Sequence, residues 1–191
     1  VLPRSEPLVI ENEGENMNGV FVGREHGRIV QAQILAALDA LPTKTILPID
    51  FRNARAVNFS FADEAIAKVV RRIVAGDLSG RYLLLINVSE GPREDIVAAL
   101  KERECICVLE TGQRTYEILG DVSPEMRETY EFSIQRERVT ARDFIEHKDS
   151  RLSIAASSNR LSRMRDMGLL VSMESENVVS GGRQNIFVPV A

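Results

Sequence analysis

Residues 153–170 read Ser-Ile-Ala-Ala-Ser-Ser-Asn-Arg-Leu-Ser-Arg-Met-Arg-Asp-Met-Gly-Leu-Leu. Wound as a helix, this segment puts Ile154, Ser157, Leu161 and Met164 on one face and turns Ala155, Ala156, Asn159, Arg160 and Arg163 toward the other. Small residues let a helix backbone sink into a DNA major groove, and Asn and Arg carry the donors and acceptors that match adenine and guanine edges. Asn159 and Arg160 are therefore candidate base readers, with Arg163 on phosphate or in the minor groove. Arg151, Arg160, Arg163 and Arg165 are opposed only by Asp166, so the helix is locally basic. The same face would also suit docking to a protein, and both readings are carried forward.

Other chemistry-bearing residues are sparser. In residues 49–64, Ser60 precedes Asp63 and Glu64 and is expected to cap a helix whose first turn they occupy. Asp50, Asp63 and Glu64 are the carboxylates that could hold Mg²⁺, although Asp50 equally suits loop capping and no metal is expected. Residues 23–28 (Gly-Arg-Glu-His-Gly-Arg) lie between a strand and a helix without the spacing of a nucleotide-binding loop and read as a turn. Cys105 and Cys107 share one strand face, too far apart for an unstrained disulfide, and are expected as buried thiols. With only His26 and His147 in addition, neither a zinc set nor a nucleophilic triad can be assembled. No enzymatic activity and no cofactor are expected.

Composition sets the frame for these groups. Of 191 residues, 44% are hydrophobic and 27% charged, as in average globular chains. No apolar run approaches the ~18 residues of a membrane span and no secretory signal pattern opens the chain, so a cytoplasmic protein without membrane contact is expected. The net charge of −4 divides unevenly. Residues 1–135 carry 15 Lys/Arg against 21 Asp/Glu, and residues 136–191 carry 9 against 7. A sign change along a chain suggests two kinds of surface.

The elements that must position these residues fall into two sets. Residues 1–18 are polar and acidic and are expected as a flexible segment, with some strand pairing around Leu8–Ile10. From 19 to 122, strands (20–22, 45–51, 82–88, 105–110, 115–119) alternate with helices (24–41, 61–75, 92–103), the pattern of an α/β domain with a mostly parallel sheet and helical crossovers. From 123 to 191 the pattern becomes helix, helix, helix, hairpin. Ser123 and Pro124 open the first helix, the Thr140–Asp143 capping box opens the second, and Ser153 opens the third. This is a winged helix-turn-helix layout.

Two resemblances sharpen the reading. The Leu161–Leu170 cadence, with Gly181-Gly182-Arg183-Gln184 after it, resembles the recognition helix and wing of winged helix-turn-helix regulators, which implies that Arg183 reaches phosphate or the minor groove. Ile49-Asp50-Phe51 followed by Ser60-Phe61-Ala62-Asp63-Glu64 resembles the STAS-like domain family of uncharacterised function, related to the anti-sigma-factor antagonists. That likeness implies a domain that senses or docks a partner such as a kinase or anti-sigma-like protein. It also implies Ser60 as a phosphoacceptor, although Asn58, Phe59 and Phe61 depart from the antagonist motif. The resulting expectation is a homodimeric regulator that binds double-stranded DNA. The alternative is an interaction module whose winged helix docks or dimerises without DNA.

Overall fold

The segment Leu83-Leu84-Leu85-Ile86 has no polar face, so as a strand it must be covered on both sides. In the computed structural model, which describes residues 2–11, 18–148, 151–177 and 183–191 (backbone alone at 174–177 and 183), that segment lies at the centre of a five-stranded sheet. The sheet order is β1 (Leu8–Val9), β3 (Thr45–Asp50), β5 (Arg81–Ile86), β6 (Cys107–Gly112) and β7 (Thr115–Leu119). All neighbours pair in parallel except β7, which returns antiparallel to β6. Leu47 lies opposite Leu83, Ile49 opposite Leu85, and Leu85 opposite Leu109, an apolar ladder that joins the main core. Their chain neighbours Ile46, Leu84 and Val108 alternate to the other face and are also buried.

The crossovers are α1 (Arg24–Ala40), a continuous helical stretch made of α2 (Phe59–Ala62), a π turn (Asp63–Ala67) and α3 (Lys68–Ala75), and α4 (Glu90–Glu102). A second, two-stranded sheet pairs β2 (Val20–Phe21) in parallel with β4 (Ala56–Val57). α1, α2, the π turn and α4 pack on one another. α1 approaches the π turn so closely that a Cβ on Gly27 would sit 2.7 Å from the Glu64 Cβ, so the position requires glycine. Gly76 ends α3 in the left-handed conformation, φ 91°, with its N–H turned back to the Arg72 and Ile73 carbonyls, a common helix stop.

Several boundaries move from their expected places, among them the start of β6, which lies at Cys107 rather than residue 105, so that Cys105 precedes the strand. β5 ends at Ile86 because Asn87 turns the chain at φ 57°. α4 begins at Glu90, two residues earlier than expected, after the N-cap Ser89, and Pro92 lies within its first turn as expected. The segment expected as flexible, residues 1–18, supplies β1 and the Arg4–Ile46 bridge, and Ile10 is buried in the core. The α/β unit spans Pro3–Asp121.

Val122–Ala191 forms the bulk of a second compact unit. It contains α5 (Pro124–Arg136), α6 (Ala141–His147), α7 (Ile154–Asp166) and the antiparallel pair β8 (Leu170–Asn177) and β9 (Arg183–Pro189). Each helix starts where a short polar side chain can accept an early N–H. Ser123 accepts from Met126 and Ser153 from Ala156, while Thr140 and Asp143 complete a reciprocal capping box. Between α5 and α6, Val139 exchanges two 2.9 Å backbone hydrogen bonds with Phe187 of β9, adding a one-residue third strand to the hairpin. Phe132 meets Phe144 edge-on at 5.6 Å, and the Tyr130 hydroxyl donates to the Val190 carbonyl at 2.6 Å. Among the described residues no helix is long and apolar enough to cross a membrane.

Candidate nucleic-acid interface

α7 is held from one side. Ser157, Leu161 and Met164 are fully buried, and α6 and β8 pack against this helix. Gly168 at φ 80° lets Leu169 donate back to the Met164 carbonyl at 2.9 Å, so the chain leaves the helix sharply into β8. The opposite face carries Ala155, Ala156, Asn159 and Arg163, all exposed. Asn159 and Arg163 make no side-chain hydrogen bond or ion pair among the described residues. The first turn holds no acidic residue and the last turn holds Arg163 and Arg165. An N-terminus of this kind presents unopposed partial positive charge to an anion.

Two of the sequence-derived positions differ from the rest. Arg160 is only half-exposed, with its guanidinium 5.6 Å from the centre of the Phe144 ring, a cation–π contact. Its charge also helps hold the Glu125 carboxyl below the usual range, after hydrogen bonds from the Glu125 backbone and the Ser123 hydroxyl. Arg160 is therefore engaged by its own unit. Ile154 is the other: the helical period assigns it to the buried stripe, yet it is 58% exposed. Arg165 is tied to its neighbour Asp166 at 2.7 Å. The Arg183 backbone lies in β9, but its side chain falls outside what is described, and Gly181-Gly182 lies outside the described residues.

In the α/β unit, Asn58 rather than Ser60 caps α2. The Asn58 Oδ1 accepts from the Phe61 N–H at 3.0 Å and from the Gly23 N–H at 3.1 Å. One side chain thereby closes the start of α2 and ties it to the turn before α1. Ser60 lies two residues into the helix and is half-buried.

The three carboxylates do not converge. Asp50 is bound by Arg52 and by the Asn87 amide at 2.8 Å. Burial opposes its ionisation, but the Arg52 and Asn87 hydrogen bonds outweigh it and hold its pKa below the ordinary value. Asp63 receives a two-point contact from Arg103 at 2.6 and 2.9 Å, which lowers its pKa against the cost of burial. Glu64 is lowered in the same way by Lys68, 2.7 Å away. Among the described residues no group of three metal-ligating side chains occurs. Cys105 and Cys107 are free and buried, and burial pushes their thiols up to about 11 and about 12, so at neutral pH neither is a thiolate nucleophile.

One cleft, of about 650 Å³, lies at the carboxyl ends of β5 and β6 between Arg4, Asn87, Arg93 and Glu110. Its arginines are already engaged, Arg4 by Glu110 at 2.7 Å and Arg93 by Glu117. Arg4 and Glu110 lie 106 residues apart, so no local motif could have signalled the cleft. Comparison with known proteins returns nothing: no family model, no curated protein and no solved structure matches the chain.

Proposed function

We propose that this chain is a transcriptional regulator that binds double-stranded DNA, with Val122–Ala191 acting as a winged helix-turn-helix and α7 as its recognition helix. The observation that carries the reading is the division of α7 into two faces. Ser157, Leu161 and Met164 are locked into the unit, while Ala155, Ala156, Asn159 and Arg163 face solvent. The order helix, Val139 strand, helix, helix, hairpin supports the winged assignment. In this reading Asn159 reads a base edge, and Arg163 and Arg183 bind phosphate or the minor groove. Arg160, engaged by Phe144, contributes charge near the groove more than base readout. The α/β unit, STAS-like by its Ile49–Glu64 resemblance, senses or docks a partner of the kinase or anti-sigma-like kind, with Ser60 as the proposed phosphoacceptor. Binding as a homodimer would double the phosphate contacts, which a locally modest charge needs.

The test is fluorescence anisotropy on random-sequence duplex at about 50 and about 200 mM salt. Saturable binding is expected to weaken steeply between the two. Arg163→Ala/Arg183→Ala should weaken binding on all sequences alike and flatten the log–log salt slope by about 0.9 for each phosphate left without its cation. A folded chain that leaves duplex DNA unbound at the lower salt refutes the assignment.

A second reading has one observation in its favour. Residues 122–191 carry 10 Lys/Arg and 10 Asp/Glu, a balance that suits protein docking or dimerisation as well as DNA.

A further inference from the structure

β5 and β6 pair only where Leu84–Ile86 lies beside Val108–Glu110. Beyond that register the two chains part. Asn87, at φ 57°, turns β5 toward α4, while β6 runs on to Gly112 and folds back as β7. Crevices at the carboxyl ends of parallel strands are where open α/β sheets bind ligands, and here the parting leaves the cleft of about 650 Å³. That volume falls within the roughly 300–1,000 Å³ of small-molecule sites.

Each wall of the cleft carries one ion pair. Glu117 lies opposite the core residue Leu109 and shares its face of the sheet, whereas Glu110 alternates to the other face. On the first side Arg93 of α4 donates to Glu117. On the second Arg4 donates to Glu110 and to the Tyr116 hydroxyl, each at 2.7 Å. Both pairs leave hydrogen-bonding capacity unused. Among the described residues, Glu110 Oε1, Glu117 Oε2 and Asn87 Oδ1 accept no hydrogen bond. The Arg93 Nε is shielded from solvent without a partner, an orphan that native folds rarely keep without a reason.

The lining discriminates among ligand classes. A bare anion must evict Glu110 or Glu117 from its arginine, and Glu90 adds a further negative charge. A cation meets two carboxylates already neutralised, which leaves only the exposed Glu90. Among the described residues no aromatic ring lines the cleft, so a planar base has nothing to stack on. A hydroxyl group both donates and accepts. It can donate to a free carboxylate oxygen and, after a small turn of the guanidinium, accept from Arg93 without breaking either pair. Ile86, Val88 and Leu109 offer apolar surface to the C–H groups between hydroxyls.

We propose that this cleft binds a small neutral polyhydroxy compound, a monosaccharide or sugar alcohol, whose hydroxyls bridge the Arg4–Glu110 and Arg93–Glu117 pairs. The site lies wholly within the α/β unit and stands whether or not the chain binds DNA.

The test titrates the isotope-labelled whole chain with D-glucose, D-galactose, D-ribose, myo-inositol and sorbitol, followed by amide chemical shifts. Inorganic phosphate and spermidine are the charged comparisons. At least one neutral probe is expected to saturate, moving the backbone amides of Asn87, Thr111 and Gly112. Glu110→Gln and Glu117→Gln, each shown to be folded by its own amide spectrum, should bind that probe roughly tenfold more weakly, the worth of one hydrogen bond to a charged group. The proposal is overturned if no neutral probe moves these amides, whether or not phosphate or spermidine does, or if both glutamine variants bind as tightly as the wild type. These readouts fall in the α/β unit, so that failure is distinct from a failure to bind duplex, which the anisotropy measurement decides.

Discussion

Among the described residues, the α/β unit buries three carboxylates, Asp50, Asp63 and Glu64, whereas the buried polar side chains of the C-terminal unit are the hydroxyls of Thr129, Ser133 and Ser157. Each buried carboxylate has a cation in contact, Arg52, Arg103 and Lys68 respectively. An ionised carboxylate out of water is costly unless paired, so these charges are committed to architecture: Asp50 closes the turn after β3, and Asp63 and Glu64 anchor the π turn to α4 and α3. Among the described residues no charged group of the C-terminal unit is buried, and Arg163, together with the neutral amide of Asn159, lies on one solvent face of α7. In the first unit polar chemistry holds the fold. In the second the fold holds polar chemistry outward.

Acid should break this contrast most strongly, since three groups act together. The folded pKa values of Asp50, Asp63 and Glu64 all lie below their ordinary values. Their stabilisation is therefore complete above the unfolded carboxylate pKa of about 4 and is lost as pH falls through the lower folded values. Followed residue by residue with amide hydrogen exchange, the α/β unit should lose protection below about pH 4 before the C-terminal unit does. Loss in the reverse order would contradict the contrast.

Arg103→Ala comes next. It strands Asp63, 3% exposed in its side chain, without its two-point partner. Breaking a buried pair costs about 3–5 kcal/mol. Because the Arg103 side chain is 36% exposed and solvent screens part of the interaction, roughly 2 kcal/mol is expected here. Thermal denaturation should show a midpoint lowered by several degrees, while Arg163→Ala, at the surface, leaves it within about 0.5 kcal/mol of wild type. Equal losses in the two variants would show that Arg163 is structural and remove it from the interface.

The smallest effect sharpens the picture at the start of α2. Asn58→Ala should cost about 1 kcal/mol through removal of the N-cap, with a further cost at Gly23, whose N–H it also receives. Ser60→Ala should fall within about 0.5 kcal/mol. Chemical denaturation of the two variants decides between them, and the opposite order would return the capping role to Ser60.

Much of the C-terminal unit was legible because helix caps are local. Ser123, Thr140 with Asp143, and Ser153 act on N–H groups three residues away, within one turn of sequence. The alternation of strands and helices was legible for the same reason, since periods of 2 and 3.6 need only a short window. Asn58 was missed because two short polar residues near one helix start compete for the cap. The winner is the one whose backbone is extended, φ −106° and ψ 162° at Asn58. The pairing of β2 with β4 was missed because each contributes only two residues, too few to show a period.

Local patterns alone therefore determined most of the element order, the caps of α5, α6 and α7 and the burial of the two thiols, since these follow from interactions within one or two turns or from a short apolar run. Tertiary structure decided which polar residues are free to act. Arg160 and Arg163 share one helix and one chemistry, yet Phe144 from α6 engages the first and leaves the second exposed. Ile154 obeys the buried period of α7, yet it stands 58% exposed. Exposure depends on what other segments reach a side chain, and no helical or strand period carries that information.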